Sequence, residues 1–163
     1  MSDWKKEVEE LLSEQLRIEH FASYFYRSCY GYAMQRKVSL LNLACFFDGQ
    51  AKEELDHANG IIDYMNAKEY KITYKEIEIP STDYKSVVDV FEKSYLYERV
   101  ATKHILKIYG RAEENNDFGL TQFLDPYVEE QIKAEKEFDD FLTNAKRCDS
   151  ELGLFIFDQA FKK

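Results

Sequence analysis

Apolar residues recur every three or four positions along four long stretches of the chain, which is the spacing of amphipathic α-helices. The stretches cover about residues 4–33, 39–66, 84–113 and 118–146. Helices of about 30 residues are about 45 Å long, so their mid-points can meet if they pack side by side. Short segments at 34–38 and 114–117 make the first and second helices, and the third and fourth, antiparallel neighbours. The pattern predicts an all-α four-helix bundle.

The connection between the second and third helices, residues 67–83, is much longer than the other two. Apolar and polar residues alternate from Ile72 to Ile79, which indicates extended chain, and Pro80 ends the alternation. A connection of this length can run along the bundle and give two parallel pairs of helices instead of simple up-down order.

The end of the chain carries a fifth apolar segment, from Leu152 to Phe161. It predicts a short C-terminal helix at about 149–161, which we expect to pack against another subunit. The prediction is therefore a single domain over 1–163, with its bundle at about 4–146 and the short helix following it.

Composition and charge narrow the classes of protein. The chain has 163 residues, 45% of them hydrophobic, with only two Pro and six Gly, which suits one helical domain. A net charge of −9 argues against non-specific nucleic-acid binding and would attract cations to a carboxylate-lined opening, although a solvated acidic surface explains it equally well.

Compartment is predicted from what the sequence lacks. No stretch approaches the roughly 18 apolar residues needed to cross a bilayer, so we expect no membrane insertion. Cys29, Cys45 and Cys148 are odd in number and have no paired spacing, which argues against a disulfide framework. A cytoplasmic location is the expectation.

Polar side chains interrupt each predicted core stripe near its middle, where Glu19, Glu54 with His57, Glu98 and Gln131 lie. A buried ionised carboxylate needs a partner, and Lys and Arg are absent from the middles of these stripes. Three carboxylates, an imidazole and an amide suit Fe, Mn or Mg, and the set lacks the thiolates of structural zinc. The imidazole favours iron. Taken singly, Glu19 or Glu98 could instead be a structural glutamate that is paired or reaches solvent.

The five groups divide unevenly between two ions. Glu19, Glu54 and His57 can hold one ion, whereas a second would share Glu54 and have only Glu98 and the neutral Gln131 besides. We expect the second ion to bind more weakly. Tyr26 follows Glu19 by one heptad, and core filling explains it as well as redox chemistry does.

Several segments resemble the ferritin family, and the resemblance covers nearly the whole chain. The matching segments are Glu19–Tyr26, Glu53–Ala58, Tyr97–Glu98, Glu130–Ala134 and Gly153–Asp158. The resemblance implies a four-helix bundle with a long crossover and a short fifth helix, assembled as a hollow 24-subunit homo-oligomeric shell. It implies oxidation of Fe²⁺ by O₂ or H₂O₂ and storage of ferric mineral.

The resemblance also implies roles for individual residues. Glu19, Glu54 and His57 would bind the first iron, and Glu54, Glu98 and Gln131 would serve the second. Tyr26 matches the tyrosine beside the family's ferroxidase centre, where it would supply an electron.

Departures from the family pattern adjust these expectations. Leu55 lies where haem-binding bacterioferritins have a Met ligand, so no haem is expected. Gln131 with Ala134 resembles the animal heavy-chain pattern. Lys133 and Ala134 remove two acids of the third iron site of bacterial non-haem ferritins while Glu53 and Glu130 remain, so the completeness of a third site stays open.

Three alternatives remain beside a ferroxidase. A rubrerythrin-like peroxidase would carry a second Glu-x-x-His and a Cys-rich iron site, but His20 and His104 follow Arg17 and Ala101 instead. A shell subunit that stores iron without oxidising it, or a helical packing protein, would lack the central ligands. The sequence therefore predicts a cytosolic ferroxidase and iron-storage subunit.

Overall fold

The protein is all-α, as predicted, in a computed structural model that describes residues 3–163. Its helices are α1 (Asp3–Met34), α2 (Leu41–Ala67), α3 (Val87–Glu114), α4 (Phe118–Arg147) and α5 (Glu151–Gln159). Over residues 3–163 there is no β-strand, and no helix is both long and apolar enough to cross a membrane.

Side-chain caps set the starts of three helices. Ser86 accepts a hydrogen bond from the backbone N–H of Asp89 at 3.2 Å, so α3 begins at Val87, three residues later than the sequence predicts. Asp117 caps α4 in the same way, and Ser150 caps α5. The C-terminal helix is shorter than the predicted 149–161 at both ends: α5 begins at Glu151, after its cap Ser150, and ends at Gln159.

Two apolar clusters fill the two ends of the bundle. One joins the start of α1 to the end of α2, the end of α3 and the start of α4, through residues such as Leu12, Ile61, Ile108 and Leu120. The other joins the opposite ends of the same four helices. Helix α1 is therefore parallel to α4, and α2 to α3, which is the predicted arrangement of two parallel pairs.

The crossover, residues 68–86, runs along α1. Near its start the N–H of Lys71 donates to Glu9 at 2.9 Å, and near its end the hydroxyl of Tyr84 lies 2.9 Å from that of Ser28. The extended character predicted for Ile72–Ile79 does not produce a strand. The N–H of Thr73 donates to the hydroxyl of Ser13 on α1 at 3.1 Å instead of to a neighbouring strand.

Helix α5 packs with one face on its own bundle, where the ring of Phe157 lies 5.7 Å from that of Phe91. Phe161, just after the helix, lies 6.3 Å from the same ring. Its buried Asp158 supplies the cap that Leu40 cannot give α2, accepting from the N–H of Leu43 at 2.8 Å. The expectation that this segment packs against another subunit is therefore corrected for this face. The other face leaves exposed side chains, namely Leu152, Phe155 and Ile156.

Candidate metal centre

The polar side chains predicted at the middles of the stripes lie between the two apolar clusters. Glu19, Glu54, Glu98 and Gln131 are 1%, 6%, 4% and 5% exposed, and His57 is half-buried. Each of the four helices α1–α4 contributes at least one of them, so the bundle core carries a polar layer at mid-length.

Glu19, Glu54 and His57 form the tightest group in this layer. One ligand atom from each lies within 4.8 Å of the others. His57 Nδ1 is 3.3 Å from Glu54 Oε2, as the one-turn spacing on α2 dictates, and 3.7 Å from Glu19 Oε2 on α1. Ligand atoms bound about 2.1 Å from one ion are separated by similar distances, so these three could hold a metal ion.

The electrostatics of this group favour a cation. Burial, together with the charge of Glu19, raises the pKa of Glu54 well above its usual value. Burial opposes charge on His57, but hydrogen bonds to Glu19 and Glu54 raise its pKa to about 11. Burial also opposes charge on Glu19, whose pKa is nevertheless lowered by hydrogen bonds from His57 and its other neighbours. Without metal the group retains protons, and an ion that binds there displaces them.

Glu98 belongs to a second group, turned towards Tyr26 and Gln131. The Tyr26 hydroxyl donates to one carboxylate oxygen of Glu98, and Gln131 Nε2 donates to the other at 3.2 Å. Burial raises the pKa of Glu98 to about 7, although these hydrogen bonds oppose the shift. This side of the layer therefore has one titrating carboxylate and a neutral amide.

Tyr26 is fixed by its surroundings. It is 1% exposed, and its ring stacks with those of Phe47 and Phe138, at 5.9 and 5.7 Å between centroids. Burial and the charge of Glu98 raise its pKa well above the usual value, so it is a neutral phenol.

The two remaining predicted residues differ in position. Glu130 is half exposed, but its Oε2 lies 2.8 Å from His57 Nε2. Glu53 is exposed and accepts a hydrogen bond from Gln50 at 3.2 Å, and it does not join the tight three-residue group.

Three further residues contact the site without having been predicted from the sequence. Gln15 donates to Glu19, His104 bonds to Gln15, and the Tyr127 hydroxyl donates to the carbonyl of His57 at 3.2 Å. Gln15 could have been found, since it lies four residues before Glu19 on the same stripe. His104 gives no such signal, because only the packing of α3 on α1 brings it near.

The fold and the site together define a class, that of helical bundles with carboxylates and a Glu-x-x-His unit projecting into the core. A family model described as Ferritin-like domain matches residues 9–148. The chain is 33% identical over 158 residues to the bacterial non-heme ferritin of Campylobacter jejuni, covering 96% of this chain and 93% of that protein. It is 30% identical over 155 residues to the Ferritin-2 heavy chain of Schistosoma mansoni, covering 94% and 90%.

A plant relative, the chloroplastic Ferritin-1 of Brassica napus, is 31% identical over 157 residues, which are 93% of this chain and 62% of that protein. The chain belongs to the ferritin family, as the resemblance of its motifs predicted. It is an iron-storage ferritin subunit, and iron binding and assembly into an oligomeric shell go with that family.

Proposed function

We propose that this chain oxidises Fe²⁺ at the centre of its bundle, as a ferroxidase that feeds iron storage. The observation that carries the proposal is the buried group of Glu19, Glu54 and His57, whose ligand atoms lie within 4.8 Å of one another. Among residues 3–163, no Lys or Arg forms an ion pair with Glu19, Glu54 or Glu98. Without metal, the cationic neighbour of these carboxylates is protonated His57, and a substrate cation that enters can displace the protons of the group.

The first Fe²⁺ binds to Glu19, Glu54 and His57, and the second to Glu54, Glu98 and Gln131. Glu54 bridges the two ions. The second ion binds more weakly, because Gln131 is neutral and Glu98, with a pKa of about 7, must lose a proton as the ion enters. Weak binding on one side suits iron that is substrate and must leave.

Oxidation uses one electron from each of two Fe²⁺ ions. Together they reduce O₂, which takes up two protons and becomes H₂O₂, and two Fe³⁺ ions are released towards the mineral. With H₂O₂ as oxidant, a further two Fe²⁺ and two protons give two molecules of water. When a second Fe²⁺ has not yet arrived, Tyr26 can supply one electron, pass its phenolic proton to Glu98, to which its hydroxyl donates, and become a neutral radical. A later Fe²⁺ returns the electron and the proton returns from Glu98.

Glu53 and Glu130 remain the predicted ligands of a third iron. Glu130 contacts His57 Nε2 at 2.8 Å, whereas the other ring nitrogen, Nδ1, faces Glu19 and Glu54, so the contact supports a role for Glu130 in orienting His57. Glu53 has no comparable contact.

Oxidation kinetics test the assignment. Stopped-flow mixing of Fe²⁺ with oxygenated protein should show the fast phase lost in Glu54→Ala and in His57→Ala. Glu129→Ala is the matched control, since Glu129 is an exposed neighbouring acid on α4 that pairs with Lys133. Wild-type rates in both site variants would refute the ferroxidase.

Assembly into a 24-subunit shell and a cytoplasmic location are proposals as well. The exposed face of α5, with Leu152, Phe155 and Ile156, supports association between copies, since clustered apolar side chains in water favour burial. Light scattering measures the mass directly, and a sample containing only monomer or dimer would rule out the shell.

A further inference from the structure

Two side chains that the proposed reaction does not use are joined to Glu19 by consecutive hydrogen bonds. Gln15 Nε2 lies 2.6 Å from Glu19 Oε1, and His104 Nδ1 lies 2.8 Å from Gln15 Oε1. Gln15 and Glu19 are each 1% exposed, so water hardly competes for either bond. Such bonds are stronger in a buried setting than at a surface.

The direction of this chain of bonds is fixed by chemistry. The Glu19 carboxylate can only accept, so Gln15 presents its amide N–H₂ to Glu19 and its carbonyl to His104. That carbonyl can also only accept, so the hydrogen lies on His104 Nδ1. Reversing the Gln15 amide would place its oxygen against the carboxylate. Each bond polarises the next, from His104 through Gln15 to Glu19.

The chain of bonds divides the two oxygens of Glu19 between two tasks. Oε1 is held by Gln15 at 2.6 Å. Oε2 is the oxygen that faces His57 Nδ1, at 3.7 Å, inside the three-residue group. Oε2 therefore stays available to an ion. Oε1 is held through Gln15 to His104 on α3, which lies 89 positions further along the chain than Gln15.

We propose that Gln15 and His104 are positioning residues for the first iron, which hold Glu19 as a ligand through Oε2 alone. The inference rests on the proposed function for the identity of that site. On this proposal, two side chains that are not iron ligands set the affinity of the site for the first iron and the geometry of its ligands.

Titration of the metal-free protein with Co²⁺, followed by visible absorption, tests this inference. The growth of the bands gives the affinity, and their positions report the geometry of the ligands. Gln15→Met keeps length but removes the donor, and should lower affinity about 10- to 100-fold, as loss of outer partners of metal ligands does. It should also shift the Co²⁺ bands, since both oxygens of Glu19 then become free to bind. A side chain with only a packing role would leave the bands in place.

His104 is tested by a pair of variants. His104→Leu removes the Nδ1 donor and should lower affinity by less than Gln15→Met does, since it acts one bond further out. His104→Asn should restore affinity, because the Asn amide nitrogen is bonded to the same Cγ position as His Nδ1. In Gln15→Met/His104→Leu, the second change should add no further loss, since the chain of bonds is already broken.

The outcomes separate this inference from the proposed function. Unchanged affinity and bands in Gln15→Met, or fully additive losses in the double variant, overturn the positioning role while leaving the site intact. Unchanged Co²⁺ binding in His57→Ala would instead overturn the site itself. If His104→Leu does not fold, Gln15→Met is compared with the wild type and with His104→Asn. Unchanged affinity and unchanged bands in Gln15→Met would again overturn the positioning role.

Discussion

Gly60 lies under the hydroxyl of Tyr127, and this contact predicts a strongly non-additive pair of substitutions. A Cβ added at Gly60 would meet the Tyr127 hydroxyl oxygen closer than van der Waals contact allows, while the ring carbon that carries it would be at an ordinary 3.7 Å. That hydroxyl donates to the carbonyl of His57, and the two rings are 5.5 Å apart. Gly60→Ala should therefore push Tyr127 away from the metal centre.

The magnitudes follow from three contributions. Ala in place of Gly inside a helix contributes about 1 kcal/mol of stability. The overlap with the hydroxyl costs about 1–3 kcal/mol, as overpacking does, and Tyr127→Phe loses a hydrogen bond of about 1 kcal/mol. Gly60→Ala should be neutral to destabilising alone but stabilising in the Tyr127→Phe background, where the clashing oxygen is gone. The expected coupling is about 1–3 kcal/mol.

Calorimetry of the four metal-free proteins at one pH measures this coupling, with light scattering to check that all four share one assembly state. Each kcal/mol should move the Tm by about 2–4 °C in a domain of this size. Gly60→Ala should also slow Fe²⁺ oxidation, and Tyr127→Phe should relieve that effect. Equal Tm increments for Gly60→Ala in both backgrounds would refute the packing argument.

Three other predictions concern the C-terminal helix, the proton on Glu98 and the side chain of Tyr26. Asp158→Ala leaves the N–H of Leu43 without its buried partner and should cost about 1–3 kcal/mol of stability, seen as a lower Tm. Asp149→Ala, at an exposed position, should leave the Tm unchanged. Equal Tm values for the two variants would contradict the cap. Burial raises the pKa of Glu98 from 4.5 to about 7, so the folded protein holds this proton more tightly than the unfolded chain, and the resulting stability is lost as pH rises from 4.5 to about 7. Glu98→Gln should flatten that part of the Tm-against-pH curve of the metal-free protein, and a curve parallel to wild type would refute the shift. Tyr26→Phe removes a hydrogen bond to the buried carboxylate of Glu98, which is worth about 1.5–3 kcal/mol of stability. It should slow Fe²⁺ oxidation and leave the affinity of the first site for Co²⁺ unchanged. Unaltered oxidation kinetics would exclude Tyr26 from electron supply.

Much of the fold was predictable because a helix repeats every 3.6 residues and so records its buried face in the sequence. The stripes containing Leu12, Phe47, Phe91 and Phe138 are buried as their spacing predicts. The predicted helix starts were less accurate where a capping side chain such as Ser86 decides them. Several polar residues before α3 could serve as its cap, and the sequence does not say which one does. The crossover was predicted to run along the bundle, but its hydrogen bonds to α1 could not be.

The polar layer was predictable for a related reason. A glutamate on an apolar stripe is costly to bury, so Glu19, Glu54 and Glu98 stand out against their neighbours without any knowledge of packing. Their equal distance from the helix ends was enough to bring them to one level of the bundle.

The sequence by itself thus determined the four buried stripes, the short fifth helix and the level at which the polar groups meet. Only the tertiary structure decided which partner each group has: His104 with Gln15, Glu130 with His57, and Asp158 with the start of α2. These pairs join different helices, and hydrogen bonds form only within about 3 Å and in a narrow range of angles. The rotation and sliding of packed helices set those distances, and no local pattern of residues records them.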